Sequence, residues 1–142
     1  MKLIITLLIL MPVVFYDQVY SQGNKDRNIA VVQAIFEAFN EHNWDKMLSY
    51  YSEEAVFVDP SFTNPVSDLK IIAVHYQEMY QLFPDIKDEI ISITAASDRV
   101  VVEFISTGTA ANREKSTLPI CTVFTLSNGK VVQDATYYDH SK

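Results

Sequence analysis

The sequence predicts an α+β domain in which an antiparallel sheet packs on its helices. Two observations carry that prediction. Leu69, Ile72, Ala73, Tyr76, Met79, Tyr80 and Phe83 recur at the spacing of one helix face, and Phe83-Pro84-Asp85 closes the run. Four strand-like segments follow, the last two joined by Ser127-Asn128-Gly129-Lys130, whose Asn-Gly pair is the chemistry of a tight hairpin. Helices followed by a meander leave a sheet free to curl round the helical layer and enclose an apolar pocket. The residues at a few inward positions then decide function.

The N-terminus reads as a targeting segment. Lys2 supplies a positive charge, Leu3 to Phe15 is apolar apart from Thr6, and Val19-Tyr20-Ser21 offers a cleavage site before Gln22. About a dozen apolar residues are too few to span a bilayer comfortably. The expectation is a cleaved signal peptide over residues 1–21 and a secreted or periplasmic protein with no membrane contact after cleavage; an uncleaved anchor is the alternative. Residues 22–142 then form a single domain large enough for one core, with no linker or repeat to divide it. The net charge of -7 is unchanged by loss of Lys2 and Asp17, and it argues against nucleic acid or an anionic membrane as partner. Cys121 is the single cysteine, so no internal disulfide supports the fold, and its place in the apolar run Ile120 to Leu126 reads as a packed thiol.

Asn24 and Asp26 are capping residues for a first helix whose Ile29, Val32, Phe36 and Phe39 share a stripe, ending around Glu41 to Asn43. Trp44, Met47, Leu48 and Tyr51 recur at helical spacing in a short second helix. Ser52-Glu53-Glu54 breaks that pattern before the strand Ala55 to Val58, which Asp59-Pro60 ends because proline cannot donate to a ladder. Residues 61–67 are a loop before the third helix. The four strands are placed at 86–94, 100–109, 117–126 and 130–138, separated by Ser97-Asp98, by the polar Asn112 to Ser116, and by the Asn128-Gly129 turn.

Several of these stretches resemble a known family. Ala34-Ile35-Phe36-Glu37-Ala38-Phe39-Asn40, Trp44-Asp45, Ala55 to Pro60, Phe83-Pro84-Asp85, Ser106-Thr107-Gly108-Thr109, and Gly129-Lys130-Val131-Val132 ending in Tyr138-Asp139 occur in the order and spacing of one group. It is the SnoaL-like polyketide cyclase branch of the nuclear transport factor 2-like superfamily. The resemblance covers nearly all of the chain after the targeting segment. It implies a cone-shaped curved antiparallel sheet wrapped around three helices, a pocket at the wide end, and a homodimer formed through the outer sheet face. It does not imply one activity, because the superfamily includes cyclases, ketosteroid isomerase, limonene epoxide hydrolase, dehydratases and non-enzymatic binding domains.

The resemblance also locates the positions where chemistry would sit. The acid/base aspartate of the last strand falls on Thr136, the cyclase histidine on Thr122, and the epoxide hydrolase arginine and aspartate on Phe104 and Ser106. Unactivated hydroxyls are neither acids nor bases near neutral pH. The familiar catalytic sets are therefore missing. Asp59 is the leading ionisable residue that remains: it ends an apolar strand and aligns with a water-orienting asparagine of the epoxide hydrolase, although a turn aspartate before Pro60 would look the same. Asp134 shares strand parity with Thr136 and Tyr138, and is otherwise a surface charge. His75 lies beside the apolar stripe of the third helix, where it reaches a ligand or bonds a backbone carbonyl.

His42 and His140 complete the histidines, and none of the three lies at metal-ligand spacing from cysteines or carboxylates, so no metal site is expected. No Gly-rich phosphate loop or nucleophile elbow is present in the sequence, and no cofactor is expected. Trp44, Phe57, Phe62, Tyr76, Tyr80, Phe83, Tyr137 and Tyr138 are aromatics that line a pocket or fill the core. Lys142 lies just past the last strand, whereas many relatives continue into a segment that covers the pocket mouth. An uncovered mouth favours binding or pairing over water-excluded catalysis.

These readings converge on a pocket for a small hydrophobic molecule, with Trp44, Phe57, His75, Tyr76, Ser106, Thr122, Thr136 and Tyr138 as its lining. The first alternative is a cofactor-independent isomerase, cyclase or dehydratase using Asp59, joined by Asp134, as acid/base, with Thr122, Thr136 and Tyr138 as orienting donors. The second is an interaction or dimerisation module whose pocket is vestigial. A closed cavity holding a carboxylate of raised pKa would favour the enzyme, and a filled core the module.

Overall fold

The computed structural model describes residues 12–139, with side chains from Gly23 onward. The expected targeting segment lies outside the described residues up to position 11, as does His140. Helix α1 spans Pro12–Asn40. Asn24 and Asp26 are therefore interior positions and not caps, because nothing between them and Pro12 stops a helix; the one weak residue, Gly23, costs only about 1 kcal/mol relative to alanine. Among the described residues no helix is long and apolar enough to cross a membrane.

The end of α1 is built by its own backbone. His42 takes a left-handed conformation at φ 55°, and the amides of His42 and Asn43 reach back to the carbonyls of Phe39 and Ala38 at 2.8 and 2.9 Å. This is the paired closure of a Schellman motif, with histidine where glycine is usual. Asn43 then caps α2 (Trp44–Leu48) by accepting from the Lys46 amide. Asp68 does the same for α3 (Leu69–Leu82) through the Lys70 amide at 2.8 Å.

Strands β1 (Tyr51–Val58), β2 (Lys87–Ala96), β3 (Arg99–Thr109), β4 (Lys115–Ser127) and β5 (Lys130–Tyr137) form one sheet in the order β1-β5-β4-β3-β2. The four later strands are the expected antiparallel meander. Strand β1 differs from expectation in two ways. It begins at Tyr51, four residues early, because the register shift between Tyr51 and Val56 absorbs Ser52-Glu53-Glu54 without ending the strand. It also lies parallel to β5, since the chain crosses through α3 to the opposite sheet edge at β2 and returns beside β1 only at the end of the meander.

Inward positions alternate along β3 as Val100, Val102 and Phe104, each buried, and the facing core is supplied by Val32, Ile35, Phe36 and Phe39 of α1. Phe36 makes edge-to-face contacts with Phe104 and Phe124 at centroid distances of 4.8 and 6.3 Å. Cys121 has the opposite parity to buried Thr122, so it is half-buried on the outer face and not packed in the core. The hairpin residues Asn128 and Gly129 both have positive φ, 52° and 76°, as a tight β4–β5 turn requires.

Gly108 on β3 lies directly under Phe83, the residue that caps α3, and a Cβ there would stand 2.9 Å from the Phe83 Cβ. Gly108→Ala is expected to destabilise the domain by about 1–3 kcal/mol through overpacking, read from chemical denaturation. Gly23→Ala, with nothing within 4 Å of the new methyl, is expected to be neutral or slightly stabilising in the same experiment.

Candidate functional site

The helices and the concave face of the sheet do not close completely. Between them lies a cavity of about 170 Å³, open on one side. Its floor is the aromatic contact of Phe36 with Phe104 and Phe124, and its helical wall comes from Phe39 of α1 and from Ile72, Tyr76 and Met79 of α3. Most of the lining surface is apolar, and polar groups stand among it on the strands and on α3.

Strand parity determines which of them face inward. Thr122, Asp134, Thr136 and Tyr138 all line the cavity, while Tyr137 between two of them is exposed on the outer face. Asp59, Phe57, Phe62, His75, Tyr76 and Ser106 also line it. Trp44 does not. It is 8% exposed, but its indole is stacked against Tyr76 at 5.7 Å and edge-on to Phe39 at 5.6 Å, in the core and away from the cavity. Tyr80 and Phe83 are likewise outside the lining: Tyr80 packs on His42 and Phe83 covers Gly108. His42, and not His75, bonds a carbonyl, that of Ile86 at 2.9 Å. His75 rests against Phe62 at a centroid distance of 4.8 Å.

Asp134 is the most completely satisfied carboxyl group of the site. It is 6% exposed, accepts the Tyr51 hydroxyl at 2.7 Å on Oδ2, and accepts the Thr136 hydroxyl at 3.1 Å on Oδ1. Thr136 in turn shares a 2.8 Å hydrogen bond with Thr122. Burial pushes the Asp134 pKa up to about 6, with the bonds from Tyr51 and Thr136 opposing the shift and the charge of Asp59 adding to it. Burial also raises the phenols of Tyr51 and Tyr76 well above their ordinary value, and the nearby Asp134 charge adds to both.

Asp59 is half-buried at the cavity edge, and one oxygen serves three donors. Oδ1 accepts the Ser61 amide at 2.7 Å, the Ser61 hydroxyl at 2.5 Å and the Tyr138 hydroxyl at 3.1 Å. It is thus both a turn aspartate and a cavity residue, and it anchors the chain after β5 to the loop after β1. Tyr138 is pushed up to about 12, first by burial and then by the Asp59 charge.

Asp88 of β2 has no counterpart in the sequence reading. It lines the cavity beside Ser106, its cross-strand partner on β3. Burial raises its pKa to about 7, with a hydrogen bond from Ser106 opposing the shift. Lys87-Asp88-Glu89 looks like the solvated start of a strand, and only the alternation backwards from Ile90 could have pointed Asp88 inward. Among the described residues no group of three or more His, Cys, Asp or Glu is arranged to hold a metal ion.

The sequence model of the SnoaL-like domain family matches residues 32–134, which contain every element from the core half of α1 to Asp134. The chain belongs to the SnoaL-like domain family. No curated protein matches it in sequence. Among solved structures, a candidate polyketide cyclase from Xanthomonas campestris pv. campestris is similar at 25% identity and TM-score 0.72, over 82% of this chain and 93% of that one. A SnoaL-like candidate polyketide cyclase from Jannaschia sp. CCS1 superposes with TM-score 0.72 at 18% identity, over 81% and 87% of the two chains. An LEH-like epoxide hydrolase from M. tuberculosis does so with TM-score 0.70 at 17% identity, over 82% and 85%. At such identities the last two establish the shared fold alone.

The Asp134 shift has a consequence for stability. Its folded pKa of about 6 lies above the ordinary 3.8, so folding favours the protonated form. That contribution is complete below about pH 4 and is lost as pH rises through about 6. Asp134→Asn keeps an acceptor for Tyr51, and the Thr136 hydroxyl can turn to accept from the amide. Relative to wild type, the variant is expected to gain stability from pH 4 to pH 8, by an amount on the order of 3 kcal/mol. Urea denaturation of both proteins across that range checks it, and parallel pH profiles would contradict the assignment.

Proposed function

We propose that the protein binds a small, largely apolar molecule in this cavity. One observation carries the reading: a void of about 170 Å³ stands open among aromatic and aliphatic side chains, with polar groups interspersed in its wall. Protein interiors normally pack without such voids. An apolar cavity of roughly 150 Å³ accepts a benzene-sized guest, so a single-ring compound is the natural scale. The cyclase and epoxide hydrolase names of similar structures support a small organic molecule as the occupant.

The same reading includes export with loss of residues 1–21 and a homodimer formed through the outer sheet face. Lys2, the apolar run and Val19-Tyr20-Ser21 support the first. Exposed Ile91, Val101 and Tyr137 on that face support the second. Native mass spectrometry of the full-length gene product, purified from its own source, tests all three together. The expected spectrum is a dimer of chains beginning at or near Gln22, carrying a bound organic molecule. A monomer, an intact Met1, or an empty cavity each removes the corresponding part.

Asp134 favours a second reading, in which the bound molecule is also isomerised or cyclised without a cofactor. A carboxylate with a pKa of about 6 is ionised at neutral pH yet basic enough to take a proton from carbon beside a carbonyl group and return it elsewhere. Thr122 and Thr136 fix its position and Tyr138 holds Asp59 beside the site. With an active compound in hand, Asp134→Asn is expected to lower kcat at least about 100-fold with little change in binding, and wild-type turnover to rise with pH through about 6. Asp59→Asn keeps its acceptor for Ser61 and Tyr138 and serves as the comparison. Unaltered turnover in Asp134→Asn would eliminate the acid–base role.

A further inference from the structure

Asp88 is built differently from the other carboxyl groups. Its backbone is clamped on both sides by one side chain: Asn40 Nδ2 donates to the Asp88 carbonyl at 2.9 Å, and the Asp88 amide donates to Asn40 Oδ1 at 2.8 Å. Asn40 is the last residue of α1, so the clamp ties β2 to the helix that forms the cavity floor. The backbone that carries the carboxyl group is thereby fixed relative to α1. Yet the carboxyl Oδ1 is buried and has no hydrogen-bond partner.

A buried polar atom without a partner costs about 1–3 kcal/mol, and native structures carry few of them. Asp134 shows how this protein satisfies a buried carboxyl group from its own side chains, with a donor on each oxygen. At Asp88 one oxygen is left over in a residue that lines the cavity.

We infer that Asp88 is a second polar pole of the cavity, where a neutral ligand is held through an uncharged hydrogen-bond acceptor, a carbonyl or ether oxygen, placed against Oδ1. This rests on the reading of the cavity as a binding site and adds the chemistry of its occupant. The carboxyl group supplies the proton, since burial favours its neutral form up to about pH 7. The other titratable side chains facing the cavity are Tyr51 and Asp59 at the two ends of β1, His75 and Tyr76 on α3, and Asp134 and Tyr138 at β5. The lining residues of α1, β3 and β4 carry no ionisable group. The guest is an apolar ring system with an oxygen at the β2 end.

Three probes of one size separate the chemistries: acetophenone with an acceptor, ethylbenzene without one, and benzylamine with a charge. Calorimetry on the purified protein at pH 5.5 is expected to give acetophenone tighter than ethylbenzene by roughly tenfold, the worth of one good hydrogen bond, and a weaker preference at pH 8.5. Asp88→Leu is expected to erase the preference while still taking up ethylbenzene. Asp88→Asn, which keeps a donor without titrating, should retain a preference that varies less with pH than in wild type, the remainder coming from Asp134 on the same cavity, and it carries the test if the leucine variant does not fold. Preference unaffected by either variant, or benzylamine binding best, overturns the assignment of Asp88 alone. Wild-type protein that takes up none of the probes overturns the cavity as a binding site, and the assignment with it.

Discussion

Everything in the site depends on the wedge of Phe36 between Phe104 and Phe124. One ring of α1 meets two neighbouring strands edge-to-face, and it divides the inner face of the sheet. On one side Val32, Val100, Leu126 and Val131 pack to near-zero exposure. On the other, Thr122, Ile120 and Ser106 face open space. Edge-to-face pairs add about 0.5–1.5 kcal/mol each beyond the area they bury, so the wedge stabilises the fold while holding the helix off the far half of the sheet. Solid core and cavity are two consequences of one contact.

Of the three carboxyl groups lining the cavity, Asp88 and Asp134 respond to that division in opposite ways. Asp134 sits next to the solid core and borrows donors from β1 and from its own strand. Asp88 sits at the far strand, where its neighbours offer only Ser106, and its firmness comes from the backbone clamp of Asn40. Both are pushed toward the neutral acid by loss of water. An acidic protein with two such groups keeps its overall charge on the outside and presents hydrogen-bonding, weakly ionised groups inside, which suits an uncharged organic guest.

Much of this was legible in the chain because period-2 and helical patterns are strict where one face is buried. Leu69 to Phe83 gave α3 almost to the residue, and the parity of Thr122, Asp134, Thr136 and Tyr138 set which side chains look inward. What escaped is physical as well. Ser52-Glu53-Glu54 looked like a break because a register shift hides polar residues inside a strand. Trp44 reads as pocket lining from its spacing, which says which face a ring occupies but not which neighbour it stacks on. Asp88 is hard to read because it stands between the charged Lys87 and Glu89, with only the alternation from Ile90 to turn it inward, and its surroundings are assembled from the distant α1 and β3.

Thr122 and Thr136 stand where the family resemblance places a histidine and an aspartate, and the geometry gives them a different office. A hydroxyl donates only one proton. Thr136 spends its proton on Asp134 Oδ1, so in their 2.8 Å contact Thr122 must be the donor, and Thr122 is left with acceptor capacity alone. Tyr51 fixes the same polarity from the other oxygen. Once Asp134 takes up a proton, which its pKa of about 6 permits near neutrality, it can donate to Thr136, Thr136 to Thr122, and the Thr122 proton is freed to face the cavity. The threonine pair is therefore polarised by Asp134, and the direction in which its two hydroxyl protons point follows from whether that carboxyl group is charged.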